Sequence, residues 1–196
     1  MASANVPDGV PGIEEYTFFG CSSLGKIELP ATVKYIGQYA FYGCIAASSA
    51  NIPSACTSIG AYAFYNCKSV LSLSIPDSVT SIGDYAFRSC VLLSEITIGD
   101  NVSSLGACVF YDCNGLKTVH LGKGVTELKD KLFYGCVNLT DLYVYAPLSS
   151  IDSLAFYGAD DVTVHCGHDA YMEKFFTDNG IKYLIDASII YDFTVE

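Results

Sequence analysis

The sequence predicts an α/β solenoid, a fold in which the chain winds through a stack of parallel turns of equal length. Two columns of identical residues support this prediction, because each recurs at a fixed step of 23 positions without insertion or deletion. The cysteine column is Cys21, Cys44, Cys67, Cys90, Cys113 and Cys136. The phenylalanine column is Phe18, Phe41, Phe64, Phe87, Phe110, Phe133 and Phe156. A fixed period in the twenties is typical of stacked repeat arrays.

The pattern of apolar residues within each repeat predicts three elements in order: a helical segment, a short strand and a turn. The helical segment is indicated by apolar residues that fall on one face of a helix. In the copy around Phe87 these residues are Ile82, Ala86, Phe87, Cys90 and Leu93. Ile96 and Ile98 then alternate with polar residues, which predicts a strand with one buried face. A proline or glycine follows the strand in five repeats, and we expect it to begin a turn. These residues are Pro30, Pro53, Pro76, Gly99 and Gly122.

The segment from Ile75 to Leu93, IPDSVTSIGDYAFRSCVLL, resembles the 23-residue leucine-rich repeat of BspA-like surface proteins. The resemblance covers about residues 7–160 and implies a right-handed, curved solenoid. It also implies a parallel β-sheet on the concave face and short helical or 3-10 segments on the convex face. Many members of the family resemble adhesion or host-interaction proteins, and the family offers no catalytic residues to carry over.

We divide the chain into three segments. Residues 1–160 hold about seven repeats of 23 residues. Residues 161–186 predict a C-terminal cap of strand, helix and strand, in which Asp169 or His168 caps a helix that runs to about Asp178. Residues 187–196 are β-prone, and they either pair with the cap or lead into a linker or a next domain.

Composition excludes several functional classes. The net charge is −11, which disfavours nucleic acid because its binding depends on Lys and Arg at phosphates. It also disfavours an anionic membrane surface, and no apolar run is long enough to insert into a membrane. Residues 1–8 lack the basic region and apolar core of a signal peptide. The resemblance nevertheless implies a cell-surface or secreted protein, so the chain is compatible with a fragment of a longer one. A cytoplasmic location is the alternative.

The cysteines allow two interpretations. Adjacent turns would bring ladder cysteines within disulfide range, but equivalent side chains point the same way and the bond needs a dihedral angle near ±90°. We therefore interpret the column as buried thiols that pack as small apolar residues. Cys166 lies in the predicted cap, and we expect it to be more exposed. The sequence His165-Cys166-Gly167-His168 could hold a metal, although a simple turn is the better interpretation. We predict no metal site, no cofactor and no catalytic residue.

The outward residues of the strands are the candidate binding site. Extended concave surfaces commonly bind partners in solenoids, and tyrosine is enriched at binding hot spots. The candidate contact residues are Glu95, Thr97, Thr118, His120, Asp141, Tyr143 and Tyr145. The alternative is that they are ordinary solvated strand residues.

A second exposed column is expected on the convex side. It consists of Phe19, Tyr42, Tyr65, Arg88, Tyr111, Tyr134 and Tyr157. We interpret it as a stacking ladder that stiffens the array, with a contact surface as the alternative.

The resemblance implies a non-catalytic scaffold that recognises a protein or a glycan, for example a host matrix protein, and we expect it to be a monomeric array. The alternative is a structural spacer or stalk whose parent protein binds its ligand elsewhere.

One repeat is predicted to be less stable than the others. Between Cys44 and Cys67 the buried columns hold Ala47, Ala50 and Cys56 where other repeats hold larger residues, and we expect local opening to begin there.

Overall fold

A computed structural model describes residues 2–3 and 6–191, and it forms a parallel β-solenoid of about seven turns with little helix. This confirms the predicted fold class. The elements, in chain order, are β1 Ala2–Ser3, β2 Leu24–Lys26, β3 Tyr35–Ile36, β4 Ser58–Ile59, β5 Ser72–Ser74, β6 Ser81–Ile82, β7 Glu95–Thr97, β8 Ser104–Leu105, β9 Thr118–Leu121, β10 Glu127–Leu128, β11 Asp141–Val144, β12 Ser150–Ile151, β13 Thr163–Cys166, α1 Ala170–Asp178 and β14 Lys182–Ile185.

Six strands form one sheet, which we call the front sheet and which corresponds to the predicted concave sheet. Its spatial order is β14-β13-β11-β9-β7-β5, and every pair is parallel. The inward residues of neighbouring strands stand side by side, as in the pairs of Val119 with Ile96 and with Leu142. All three are fully buried. Alternation therefore leaves the residues between them on the outer face of the sheet.

A second set of short strands was not expected. β3, β4, β6 and β8 form a parallel sheet of two-residue strands, and β10 pairs with β12. The sequence pattern assigned Ile82 to a helical segment, whereas the structure places it in β6. A glycine follows each strand of the four-stranded sheet and allows this approach of backbones. A Cβ atom on Gly83 would lie only 2.4 Å from the backbone nitrogen of Ala61 in the preceding turn.

The prediction of helical segments on the convex side is wrong, because the chain forms a series of hydrogen-bonded turns there. A helix would satisfy each N–H group locally, but here the N–H groups alternate between two kinds of acceptor. Arg88 N–H donates to Tyr85 O within the turn at 3.1 Å, and Ser89 N–H donates to Tyr111 O in the next turn at 2.8 Å. Left-handed φ angles at Tyr85 (59°) and Ser89 (59°) make this alternation possible. The convex side therefore contributes its own hydrogen-bond ladder along the solenoid.

The cysteine column lies in the core as free thiols. Cys90 Sγ donates to the Phe64 carbonyl at 3.2 Å, and the contact repeats at the other buried ladder positions. Burial raises the pKa of Cys113 to about 12, so its reactive thiolate form is scarce near neutral pH. Cys21 is exposed, in contrast to the rest of the column. Cys166 is buried, so the prediction that it is more exposed is wrong.

The segment after the repeats continues the front sheet and adds the helix. The Asp169 carboxylate caps α1 by accepting from Met172 N–H at 2.8 Å, and Asn179 ends the helix. Because β13 and β14 belong to the front sheet, a boundary at residue 160 stays an interpretation. The tail forms no strand as far as Tyr191, whose hydroxyl donates to Val144 O at 3.0 Å. The remainder of the predicted 187–196 segment lies outside the described residues.

The front sheet is interrupted at the segment that we predicted to be weak, Cys44–Cys67. There the strand is reduced to an isolated bridge between Ile27 and Ala50. The Asn51 side chain supplies the hydrogen bonds that a strand backbone would otherwise make to Leu29. Its Oδ1 accepts from Leu29 N–H at 2.7 Å, and its Nδ2 donates to Leu29 O at 2.9 Å.

Candidate functional site

The front sheet brings the predicted contact residues into two adjacent outward columns. Glu95, Thr118 and Asp141 stand side by side in one column. Thr97, His120 and Tyr143 stand side by side in the other, and Tyr145 follows β11. Equal spacing of the repeats therefore converts seven separated positions of the sequence into one surface.

Rings stack along the second column. The centroids of His120 and Tyr143 lie 4.4 Å apart with an interplanar angle of 9°. Tyr143 stacks in turn on His165, at 4.3 Å and 11°. Tyr145 lies beside this row, and its hydroxyl is 2.9 Å from His120 Nδ1. We call these four residues together with Asp141 the front cluster.

His165 belongs to the front cluster although the sequence analysis assigned it to a cap turn. The step from Tyr143 to His165 is 22 residues, one fewer than the repeat period, and the two are paired in register. Extending the 23-residue step would place Cys166 in the outward column instead. The same shift explains why Cys166 is buried, because it lies beside Val144 in the inward column.

Hydrogen bonds fix the acidic side of the front cluster. His165 Nε2 lies 2.9 Å from Asp141 Oδ1, and because a carboxylate can only accept, Nε2 carries the proton. Thr140 also donates to Asp141, at 2.8 Å. These two bonds, the first above all, lower the pKa of Asp141 below its usual value. Burial raises the pKa of Tyr145, so its phenol stays protonated at neutral pH.

The other predicted residues border the front cluster without being bonded to it. In the described part of the chain, no side-chain hydrogen bond or ring contact joins Glu95, Thr97 or Thr118 to it. Glu95 and Thr97 are exposed, and they border a shallow depression of about 560 Å³ above the weak segment. The candidate site thus consists of a pre-arranged cluster and an open, polar surface beside it.

The possible metal ligands around Cys166 do not converge. His165 faces Asp141, Cys166 is buried, and His168 Nδ1 lies 3.2 Å from Glu173 Oε1. Among residues 2–3 and 6–191, no three His, Cys, Asp or Glu side chains are grouped as a metal site. Within the same residues, no helix has the length and apolar character needed to cross a bilayer.

The convex column is a stack of rings. Tyr42 and Tyr65 lie 4.7 Å apart at an angle of 2°, and Tyr111 and Tyr134 lie 4.7 Å apart at 8°. Arg88 fills the gap in the stack, since its guanidinium carbon lies 4.3 Å from the Tyr111 ring centroid. This geometry agrees with the interpretation of a stacking ladder, because the faces of the inner rings are covered by neighbouring rings or by Arg88.

Comparisons with known proteins give a consistent result. A family model described as a BspA type leucine-rich repeat region matches residues 1–92 and 57–182 in six copies. The solved structure of a leucine-rich repeat protein from T. pallidum, TpLRR, is similar over 92% of this chain and 83% of its own, with 31% identity and a TM-score of 0.74.

Two more distant structures share the fold. The pneumococcal vaccine antigen PcpA is 17% identical with a TM-score of 0.68, over 83% of this chain and 41% of PcpA. A leucine-rich cell surface protein from Faecalibacterium prausnitzii is 19% identical with a TM-score of 0.50, over 89% of this chain and 64% of its own. No curated protein sequence matches the chain.

Proposed function

Since the chain belongs to the BspA type leucine-rich repeat family, we propose that it is a non-catalytic scaffold that recognises a protein partner through the front sheet. Repeat modules of this kind are generally protein-interaction modules. The front cluster is the observation that carries the proposal. Three stacked rings and two hydrogen-bonded partners form a rigid group, with the exposed Leu184 of β14 beside His165 and polar residues on β5 and β7.

The rigidity of the front cluster favours binding. A contact surface that is already ordered loses little side-chain entropy when a partner docks. Tyr143 is held between two imidazoles, and His120 and His165 are each fixed by a hydrogen bond. Partly buried tyrosine and histidine side chains also combine apolar area with polar ring edges, as binding hot spots commonly do.

The ring geometry supports a protein partner more than a glycan. Both faces of Tyr143 are covered by His120 and His165, so a sugar ring cannot stack on it. The ring edges remain available, and they offer hydrogen-bonding groups along the row. Backbone and side-chain groups of a protein surface can pair with such a row.

A cell-surface role is the most economical context for this scaffold. The F. prausnitzii structure is described as a cell surface protein, and PcpA is described as a vaccine antigen. We propose by analogy that this chain acts in adhesion or host interaction outside the cell. The fold similarity to these proteins supports the context and leaves the partner open.

A structural spacer is the second candidate function. The stacked convex rings support it, because a continuous ladder from Tyr111 through Tyr134 to Tyr157 would stiffen the array. In that case the front cluster would have no partner, and the parent protein would bind its ligand elsewhere.

A triple variant separates the two functions. We would screen the chain against purified extracellular matrix proteins and a glycan array, then measure each binder with the variant His120→Ala, Tyr143→Ala, Tyr145→Ala. We expect at least a tenfold loss of affinity for a matrix protein. The matched control is Ser72→Ala with Ser74→Ala on β5, which should leave binding unchanged. Full binding by the triple variant would exclude the front cluster as the site.

A further inference from the structure

The last turn of the repeat array leaves a hydrogen-bond ladder unfinished. In six turns, the N–H group of the phenylalanine column donates to the next turn, as Phe133 N–H does to Ala155 O at 2.9 Å. The N–H group two residues later does the same, as Gly135 N–H does to Tyr157 O at 2.8 Å. The equivalent groups in the seventh turn are those of Phe156 and Gly158. Within the described residues, neither has an acceptor.

A groove lies along this unfinished edge. The helix α1 covers the end of the core through Met172 and Phe176, which are fully buried. It does not cover the convex turn. There a groove of about 330 Å³ remains, which we call the end groove and whose lining includes Phe156, Tyr157, Asp160, Phe175, Asn179 and Ile181. This volume is within the range of binding sites for small molecules and short peptide segments.

The ring stacks are unfinished at the same place. Tyr157 stacks one face on Tyr134, with the ring centroids 4.7 Å apart, and the residue is 60% exposed. Phe156 stacks on Phe133 at 5.9 Å and is 8% exposed, whereas Phe133 is fully buried. Among the described residues, this edge therefore presents two N–H groups without an acceptor and, beside them, an aromatic ring with an open face.

We propose that the end groove binds a peptide segment of a partner protein in the conformation of an additional turn. Two carbonyl oxygens of the peptide, two residues apart, would accept from Phe156 N–H and Gly158 N–H. An aromatic side chain of the peptide would stack on Tyr157. The six earlier turns support this choice of occupant, because the same pair of donors always meets two carbonyls and the ring column places an aromatic ring or Arg88 on the next position.

The site is distinct from the front cluster, so it does not depend on the function proposed for that surface. It lies on the convex side and at the C-terminal end of the array. Its recognition would combine backbone hydrogen bonds, as in strand addition to a sheet edge, with one specific aromatic contact. Asp160 and Asn179 provide polar groups at the rim of the groove for the flanking backbone of the peptide.

The test uses a probe taken from the chain itself. A blocked peptide of residues 37–43, GQYAFYG, contains the carbonyls of Ala40 and Tyr42 that accept from Phe18 and Gly20 in the folded protein. We would titrate it into the ¹⁵N-labelled full chain. We expect the amide signals of Phe156 and Gly158 to shift, and a control peptide with Tyr42→Ala to bind at least threefold more weakly.

Two protein variants give the matched comparison. Tyr157→Ala should weaken binding of the probe at least threefold, whereas Tyr111→Ala, in the middle of the same ring column, should not. Circular dichroism would verify that both variants fold. An absence of binding, unshifted Phe156 and Gly158 signals, or equal affinity in the Tyr157 variant would each overturn the proposal.

Two further experiments test whether something other than a partner peptide fills the end groove. Shifts at the end groove produced by N-acetylglucosamine or galactose, but not by the peptide, would mean a carbohydrate site and overturn the proposal. A variant truncated after Tyr191 tests whether the chain covers its own groove. If its Phe156 and Gly158 signals move without added peptide, the tail is the occupant and the proposal fails. Unchanged signals support an external peptide.

Discussion

Two regions of the front sheet perform the same structural task with different means. Around β9, β11 and β13 the strands have four residues, the inward positions are fully buried, and the outward face carries the front cluster. In the weak segment, Cys44–Cys67, the strand is an isolated bridge, Ala50 is only partly buried, and Asn51 completes the ladder with its side chain.

This difference teaches how a repeat array tolerates a poor repeat. In a solenoid each turn contacts only its neighbours, so stability is approximately a sum of local terms. The Asn51 amide supplies a donor and an acceptor in place of the backbone groups of the missing strand. The register of the array is therefore kept, while the local packing energy is reduced. The predictions below compare the two regions directly.

The largest expected difference concerns the same substitution at equivalent positions. Ile98 is 2% exposed and follows β7, whereas Ile52 occupies the same column in the weak segment and is only partly buried. We expect Ile98→Ala to lower the free energy of unfolding by about 2–5 kcal/mol, because it leaves a cavity in a packed core. Ile52→Ala should cost about half as much.

Urea unfolding followed by circular dichroism would measure both variants. Equal losses would mean that the weak segment is packed as tightly as the rest of the array. That outcome would contradict the comparison on which the other predictions depend.

Removing the Asn51 side chain should open the weak segment. Asn51→Ala removes two hydrogen bonds to Leu29, which we expect to cost about 1–2 kcal/mol. Ser74→Ala, in the same outward column on β5, is the control and should change stability by less than about 0.5 kcal/mol.

Amide hydrogen exchange localises this effect. Leu29 N–H donates to the Asn51 side chain, whereas Ile98 N–H, in the same column, donates to the backbone carbonyl of His120 at 2.8 Å. We expect Leu29 to exchange faster than Ile98 in the wild type, and faster still in the Asn51 variant. Similar protection of Leu29 and Ile98 in the wild type would exclude local opening at the weak segment.

A larger apolar side chain in the weak segment should raise the free energy of unfolding where the core has room for it. Ala50 pairs with the buried Ile27 and is only partly buried itself, so Ala50→Ile can add apolar contacts in this inward column and should stabilise the chain by about 1 kcal/mol. Ala47 is fully buried, so Ala47→Leu should destabilise by about 1–3 kcal/mol through overpacking. Calorimetric unfolding of both variants would test this contrast, and stabilisation by Ala47→Leu would contradict it.

The sequence allowed the register of the front sheet to be predicted because the 23-residue step has no interruption as far as Phe156. His120, Asp141, Tyr143 and Tyr145 were placed on one surface for that reason. His165 could not be placed, since the step shortens to 22 residues beyond the seventh turn. The convex turns were taken for helices because a turn with alternating local and neighbouring acceptors has nearly the same apolar spacing as a helix.

The smallest expected effect concerns the charge in the front cluster, which the weak segment lacks. The hydrogen bond from His165 lowers the folded-state pKa of Asp141, so it contributes stability above the unfolded carboxyl pKa of about 3.9. That contribution is lost as the pH falls through the lowered folded-state value. We therefore expect Asp141→Asn to reduce the free energy of unfolding at pH 7 and to have progressively less effect toward pH 3. Because the Asp141 side chain is 40% exposed, the loss at pH 7 should stay below about 1 kcal/mol.

Glu95→Gln, in the same outward column but without a bonded imidazole, is the control. A difference between wild type and Asp141→Asn that grew toward pH 3 would show that the pair is not stabilising in its charged form.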